Sequence, residues 1–143
     1  HYPLRRQRQM CIRDRYMIFT IDFNSDEALY VQLCNQIIMC IANEKIHEGD
    51  SLPSVRQLAD NIGINMHTVN KAYSVLRQEG YIKLDRRHGA VIALDIDRIK
   101  AMNELTDELR VVVAKAMCRN ISTDKIHALV DDVIAEFTGE QEV

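Results

Sequence analysis

The chain has 143 residues with 47% hydrophobic and 27% charged side chains and a net charge of −3, the composition of a soluble globular protein with one domain or a small domain and an appendage. No apolar run approaches the roughly 18 residues needed to cross a membrane and no signal-peptide pattern is present, so a cytoplasmic location is expected. The four cysteines (Cys11, Cys34, Cys40, Cys118) form no CxxC pair and read as buried, reduced thiols.

The first sixteen residues, HYPLRRQRQMCIRDRY, lack apolar periodicity and carry five arginines. A basic arm gripping DNA phosphate is one reading. The other, adopted here, is a non-native or disordered leader ending before Met17, outside the fold. After it, IFTIDFN alternates apolar and polar residues and predicts a short extended segment. Asn24 then stands as an N-cap with Glu27 three residues on, and Leu29, Leu33, Ile37 and Ile41 predict a helix that ends at HEGD, residues 47–50.

Pro53 and Ser54 signal the next helix, with Ser54 or Ser51 as its cap and an apolar face of Val55, Leu58, Ala59 and Ile62. It stops at Gly63. Asn65 can cap a further helix whose inner face is Val69, Ala72, Tyr73 and Leu76 and which ends at Gly80. Two short helices joined by a tight turn containing glycine form a helix-turn-helix pattern. YIKLDRRHGAVIAL follows as a β-hairpin with a basic tip, giving the order of a winged helix-turn-helix. From Asp97, Ile99, Met102, Leu105, Leu109, Val112, Val113 and Ala116 recur at helical spacing. After a break at RNIS, Ser122 can cap a last helix with Ile126, Leu129, Val130, Val133, Ile134 and Phe137 on one face. The fold class is mainly α (α+β), with residues 17–94 as the winged helix-turn-helix and 95–143 as a short two-helix region, too short for a ligand-binding domain with its own core.

The acidity is segregated. Residues 17–52 and 95–143 each carry −5, residues 1–16 carry +4, and residues 53–94 carry +3. The basic segment is where a polyanion can dock. In a helix-turn-helix the second helix enters the major groove with its N-terminal residues at base edges, where short polar side chains and amides are useful and acids are not. Asn65, His67, Thr68, Asn70 and Lys71 fit that role. Met66 is read evenly as a core plug or a contact to a thymine methyl. Arg56, Arg86 and Arg87 are candidates for phosphate contacts. No metal-ligand spacing, phosphate-binding loop or nucleophile motif is found, and the adjacent acids Asp107-Glu108 and Asp131-Asp132 diverge on their helices. An enzyme is not expected, and neither a metal nor a cofactor is implied.

The stretch LYVQLCNQIIMCIANEKIHEGDSLPSVRQLADNIGINMHTVNKAYSVLRQEGYI resembles the N-terminal domain of the GntR family of bacterial transcription regulators, notably in Gly49-Asp50, LPSVRQLA, Gly63, Thr68-Val69, Ala72 and EGYI. The resemblance covers about residues 24–94 and implies that Arg56 contacts DNA, with Ser54 a further candidate contact. It also implies that Asn65 to Asn70 read the major groove and that the wing tip at His88-Gly89 approaches the minor groove. The chain departs from the family where arginine is common at Met66 and Asn70, and where Arg87 replaces a wing glycine. Its short C-terminal part is similar to the YtrA-type subfamily, whose terminal helices serve dimerisation. The expectation is a homodimeric regulator, a repressor, on a pseudo-palindromic DNA operator, its seam formed by the 99–117 stripe. The sequence names no small-molecule effector. The rival expectation is a winged-helix protein-interaction module without direct DNA readout.

Overall fold

A computed structural model describes residues 11–12, 15–16 and 19–139. The chain forms two compact units, His1–Asp95 and Ile96–Val143. Most of the expected leader lies outside the described residues; within it, β1 (Cys11–Ile12) pairs antiparallel with β2 (Arg15–Tyr16).

In the first unit, α1 (Leu29–Ala42), α2 (Val55–Ile62) and α3 (Met66–Gln78) are followed by the hairpin β3 (Ile82–Asp85) and β4 (Gly89–Ile92). This is a winged helix. Its core is built from Leu33 and Ile37 of α1, Leu58 of α2, Val69, Ala72 and Leu76 of α3, and Ile82 and Ile92 of the hairpin, with Phe19 and Ile46 filling from the connecting segments. The residues from α1 and α3 lie three or four apart, which places them on one face of each helix.

Among its described residues, the segment expected to be extended before α1 joins no ladder. Two glutamine amides of α1 hold it instead. Gln32, itself buried, accepts from the Asp22 N–H at 2.8 Å and donates to the carbonyls of Asp22 and Glu27, each at 3.0 Å. Gln36 accepts from the Thr20 N–H at 2.7 Å and donates to the Thr20 carbonyl. Phe19 is thereby fixed in the core. The expected cap at Asn24 is corrected: α1 begins at Leu29 behind Ala28, which makes no side-chain cap. The reason is local competition, because the Asp22 side chain takes the Asn24 N–H and Ser25 Oγ takes that of Glu27, turning the backbone before the helix starts. Nor does α1 reach residue 47. It stops at Ala42, and the N–H groups of Lys45 and Ile46 both close onto the Cys40 carbonyl, which swings Ile46 into the core.

The wing is joined to the approach to α2. Gly49 N–H donates to the Ile92 carbonyl (2.8 Å), Ile92 N–H to that of Asp50 (2.9 Å), and Leu52 N–H to that of Ala90 (2.8 Å). Ser51 and Val91 thus make an isolated antiparallel bridge. Ala90, Val91 and Ile92 are all buried while Leu84 is 62% exposed, so the hairpin does not follow simple alternation.

The second unit consists of α4 (Arg98–Cys118), capped by Asp97, and α5 (Thr123–Thr138), capped by Ser122. The two helices lie against each other. Among the described residues of this unit none is buried.

Candidate nucleic-acid interface

Ser54 opens α2 with a reciprocal cap: its Oγ accepts from the Gln57 N–H at 3.1 Å, and Gln57 Oε1 accepts from the Ser54 N–H at 3.3 Å. Arg56 is the second helical residue, exposed in the first turn. Leu58 and Ala59 bury the opposite face, and Gly63 ends the helix at φ +84°. That left-handed geometry suits glycine and turns the chain at once into α3. Tyr73 of α3 donates its hydroxyl to the Pro53 carbonyl at 2.7 Å, linking α3 to the residue before Ser54. Burial pushes the Tyr73 phenol pKa up, so it stays a donor.

At the start of α3, Asn65 Oδ1 accepts the His67 N–H at 2.6 Å. Asn65 is therefore the N-cap. Val69, Ala72, Tyr73 and Leu76 are buried, which turns Met66, His67, Asn70 and Lys71 outward, with Thr68 half-buried at the edge. Met66 is 41% exposed, which removes the core-plug reading. The first turn contains no acid. Lys71 does not hang freely: its Nζ lies 4.2 Å from the centroid of the Tyr30 ring, at the start of α1.

At the wing tip, Asp85 Oδ1 accepts the N–H of Arg87 at 2.7 Å and that of His88 at 3.2 Å. These two backbone bonds, Arg87 first, hold the exposed Asp85 carboxyl below its usual range, with the nearby His88 imidazole adding to the effect. The carboxylate is thus occupied in shaping the turn. Gly89 takes φ +71° to close it. Arg86, Arg87, His88 and Gly89 are exposed. Among the described residues no carboxylate lies within ion-pairing distance of Arg56, Arg86 or Arg87.

In the second unit, Ile99, Met102, Leu105, Leu109 and Val112 are exposed, while Val113 and Ala116 are half-buried. Val112, Val113 and Ala116 line an apolar groove of about 330 Å³ together with residues of α5, including Ile126, Leu129 and Val133. Among the described residues, no cluster of His, Cys, Asp and Glu could hold a metal ion, and no helix is long and apolar enough to cross a membrane. Sequence reasoning missed Tyr30. Its position 41 residues before Lys71 leaves no local signal, and only the packing of α1 on α3 brings the two together.

A capped helix pair, an outward polar face without acids and a hairpin with exposed arginines at its tip define a protein of the winged-helix class of DNA-binding regulators. The sequence profile described as "Bacterial regulatory proteins, gntR family" matches residues 29–92. The HTH-type transcriptional repressor YtrA of Bacillus subtilis is 30% identical over 122 residues, which are 83% of this chain and 94% of that protein. Among solved structures, a transcriptional antiterminator from Listeria monocytogenes superposes with a TM-score of 0.77 at 27% identity, covering 85% of this chain and 92% of that one. YtrA from Sulfolobus acidocaldarius, a GntR-family transcription factor, is 37% identical with a TM-score of 0.51, over 82% and 97% of the two chains. The chain belongs to the GntR family of bacterial regulators, and within it to the YtrA type.

Proposed function

We propose that this protein is a cytoplasmic, homodimeric repressor that recognises a pseudo-palindromic operator in double-stranded DNA and has no catalytic activity. The observation that carries the reading is the outward face of α3, which presents Met66, His67, Asn70 and Lys71 without an acid in its first turn, inside the basic segment of an acidic chain. Asn65, at the cap, and Thr68, at the edge, complete the base-reading set. Arginine at positions 66 and 70 would favour guanine; here amide, hydroxyl, imidazole and thioether groups favour adenine and thymine contacts. Ser54, Arg56, Arg86 and Arg87 act on phosphates and set the register, and the tip at His88-Gly89 meets the minor groove. The named repressor of Bacillus subtilis supports repression as the direction of control. Residues 17–94 are the DNA-binding part and 95–143 the dimerisation part. The stripe on α4, exposed from Ile99 to Val112, supports pairing through this helix, which sets two recognition helices on half-sites about one DNA turn apart.

Selection of bound sequences from random duplexes, followed by gel-shift titration of the recovered site, tests the reading. Binding should weaken steeply between low and physiological salt, as for any protein that neutralises several phosphates. Arg56→Ala should lose about tenfold or more in affinity with an unchanged melting temperature, since the loss of a charged contact is worth about 1.5–3 kcal/mol. Failure to enrich any sequence would favour a protein-interaction module instead.

A further inference from the structure

Lysine is a flexible chain ending in a compact charge, and an unrestrained ammonium loses much of its freedom when it meets a single phosphate. Lys71 is restrained beforehand. Its Nζ stands 4.2 Å from the centre of the Tyr30 ring, a cation–π geometry. Tyr30 is the second residue of α1 and is half-buried against the core cluster, so the ring is itself held in place. A carboxylate in the same position would neutralise the lysine. The ring attracts the cation through its quadrupole and leaves N–H donors and the full charge available to an anion on the other side.

We infer that Tyr30 is a positioning residue for DNA binding, which holds the Lys71 ammonium at the α1 edge of the recognition helix as a preformed phosphate contact. The inference rests on the DNA-binding reading of α3 and adds a member from outside the helix-turn-helix and the wing. Tyr30 acts on DNA through Lys71.

The test is a double-mutant cycle on the duplex recovered by the selection above, titrated by fluorescence anisotropy over a range of KCl concentrations. Lys71→Gln should reduce the slope of log K against log[salt] by about 0.9 for each bound protomer. Tyr30→Leu should weaken low-salt binding by about 2- to 5-fold, the fold equivalent of an exposed cation–π pair. It should have no further effect in the Lys71→Gln background. Tyr30→Phe, which keeps the ring, should bind like the wild type. The Lys71 side-chain protons should also show an upfield ring-current shift by NMR in the wild type and in Tyr30→Phe, a readout that holds even if Tyr30→Leu loses stability. An unchanged salt slope in Lys71→Gln, equal losses from Tyr30→Leu in both backgrounds, or no ring-current shift in the wild type overturns the positioning role alone. Absence of wild-type binding to every duplex overturns the DNA reading and the positioning role with it.

Discussion

Cys34 illustrates how much a single side chain ties to the interior of this domain. Its Sγ lies 3.4 Å from the Ala72 carbonyl and donates across the contact between α1 and α3. Burial, with a smaller contribution from the Glu79 carboxylate, pushes its pKa from 9.0 to about 11. The folded state therefore keeps the proton where the unfolded chain has released it. The stabilisation is complete below pH 9.0 and is lost as the pH rises from 9.0 through about 11. Tyr73, whose pKa is raised by burial alone, adds a loss of the same sign above pH 10.0. Urea unfolding midpoints should fall across this window, and Cys34→Ala should flatten the fall by up to about 2–3 kcal/mol. Equal pH profiles for the two proteins would remove Cys34 as the cause. Residue-scale reading from sequence was strong where a side chain serves its own neighbours: Ser54 and Asn65 are caps that the adjoining residues announce. It stopped at Met66, whose exposure depends on what the rest of the fold leaves uncovered.

Among the elements, the turn between α3 and the wing is the most constrained. Gly80 has φ +90°, its carbonyl accepts the Asp95 N–H at 2.8 Å, and a Cβ there would stand 2.8 Å from Asp95 Cβ. Gly63, at φ +84°, has nothing within 4 Å of such an atom. Both positions ask an alanine to adopt left-handed backbone, at about 1–2 kcal/mol, but only Gly80→Ala adds a collision. Gly80→Ala should thus lower the melting temperature clearly more than Gly63→Ala, by at least several degrees in a unit of this size. Equal shifts, read by calorimetry, would mean that residue 95 yields without cost. Helices α2 to α5 and the hairpin were legible because caps, glycines and apolar spacing lie within a few residues of one another. The ends of α1 were not. At its start the side chains of Asp22 and Ser25 compete for the backbone donors that Asn24 and Glu27 seemed to offer a helix. The bridge between Ser51 and Val91 was equally hidden, since strand partners forty residues apart leave no trace in periodicity.

For the molecule as a whole, the second unit poses the energetic question. Helices of 21 and 16 residues gain most of their stability in proteins from burying an apolar face, and here no described residue of either is buried. Around Val111, Val112, Val113 and Ala114 the apolar surface runs round most of α4, as in helices covered from more than one side. A second copy covers it in the proposed assembly. Light scattering should give the mass of a dimer, and Leu109→Asp should give monomers with reduced helicity, because an unpaired carboxylate in an apolar seam costs several kcal/mol. A persistent Leu109→Asp dimer would place the interface elsewhere. The outward placement of the proposed DNA contacts on α3 and the wing tip was legible in the sequence, because apolar spacing marks the face that turns inward. The contact of Tyr30 with Lys71 was not, because it depends on how two helices pack.

The hydrogen bonds that fasten β4 to Gly49, Asp50 and Leu52 have a consequence for anyone wishing to retarget this protein. They weld the hairpin to the strand-like approach of α2, while Tyr73 welds α3 to the same stretch at Pro53. Probe and wing are thus mounted on one bracket, with a spacing indifferent to the side chains they display. In the proposed DNA-binding reading, exchanging the exposed residues 66, 67 and 70 re-cuts the key, and the blade that carries them keeps its shape.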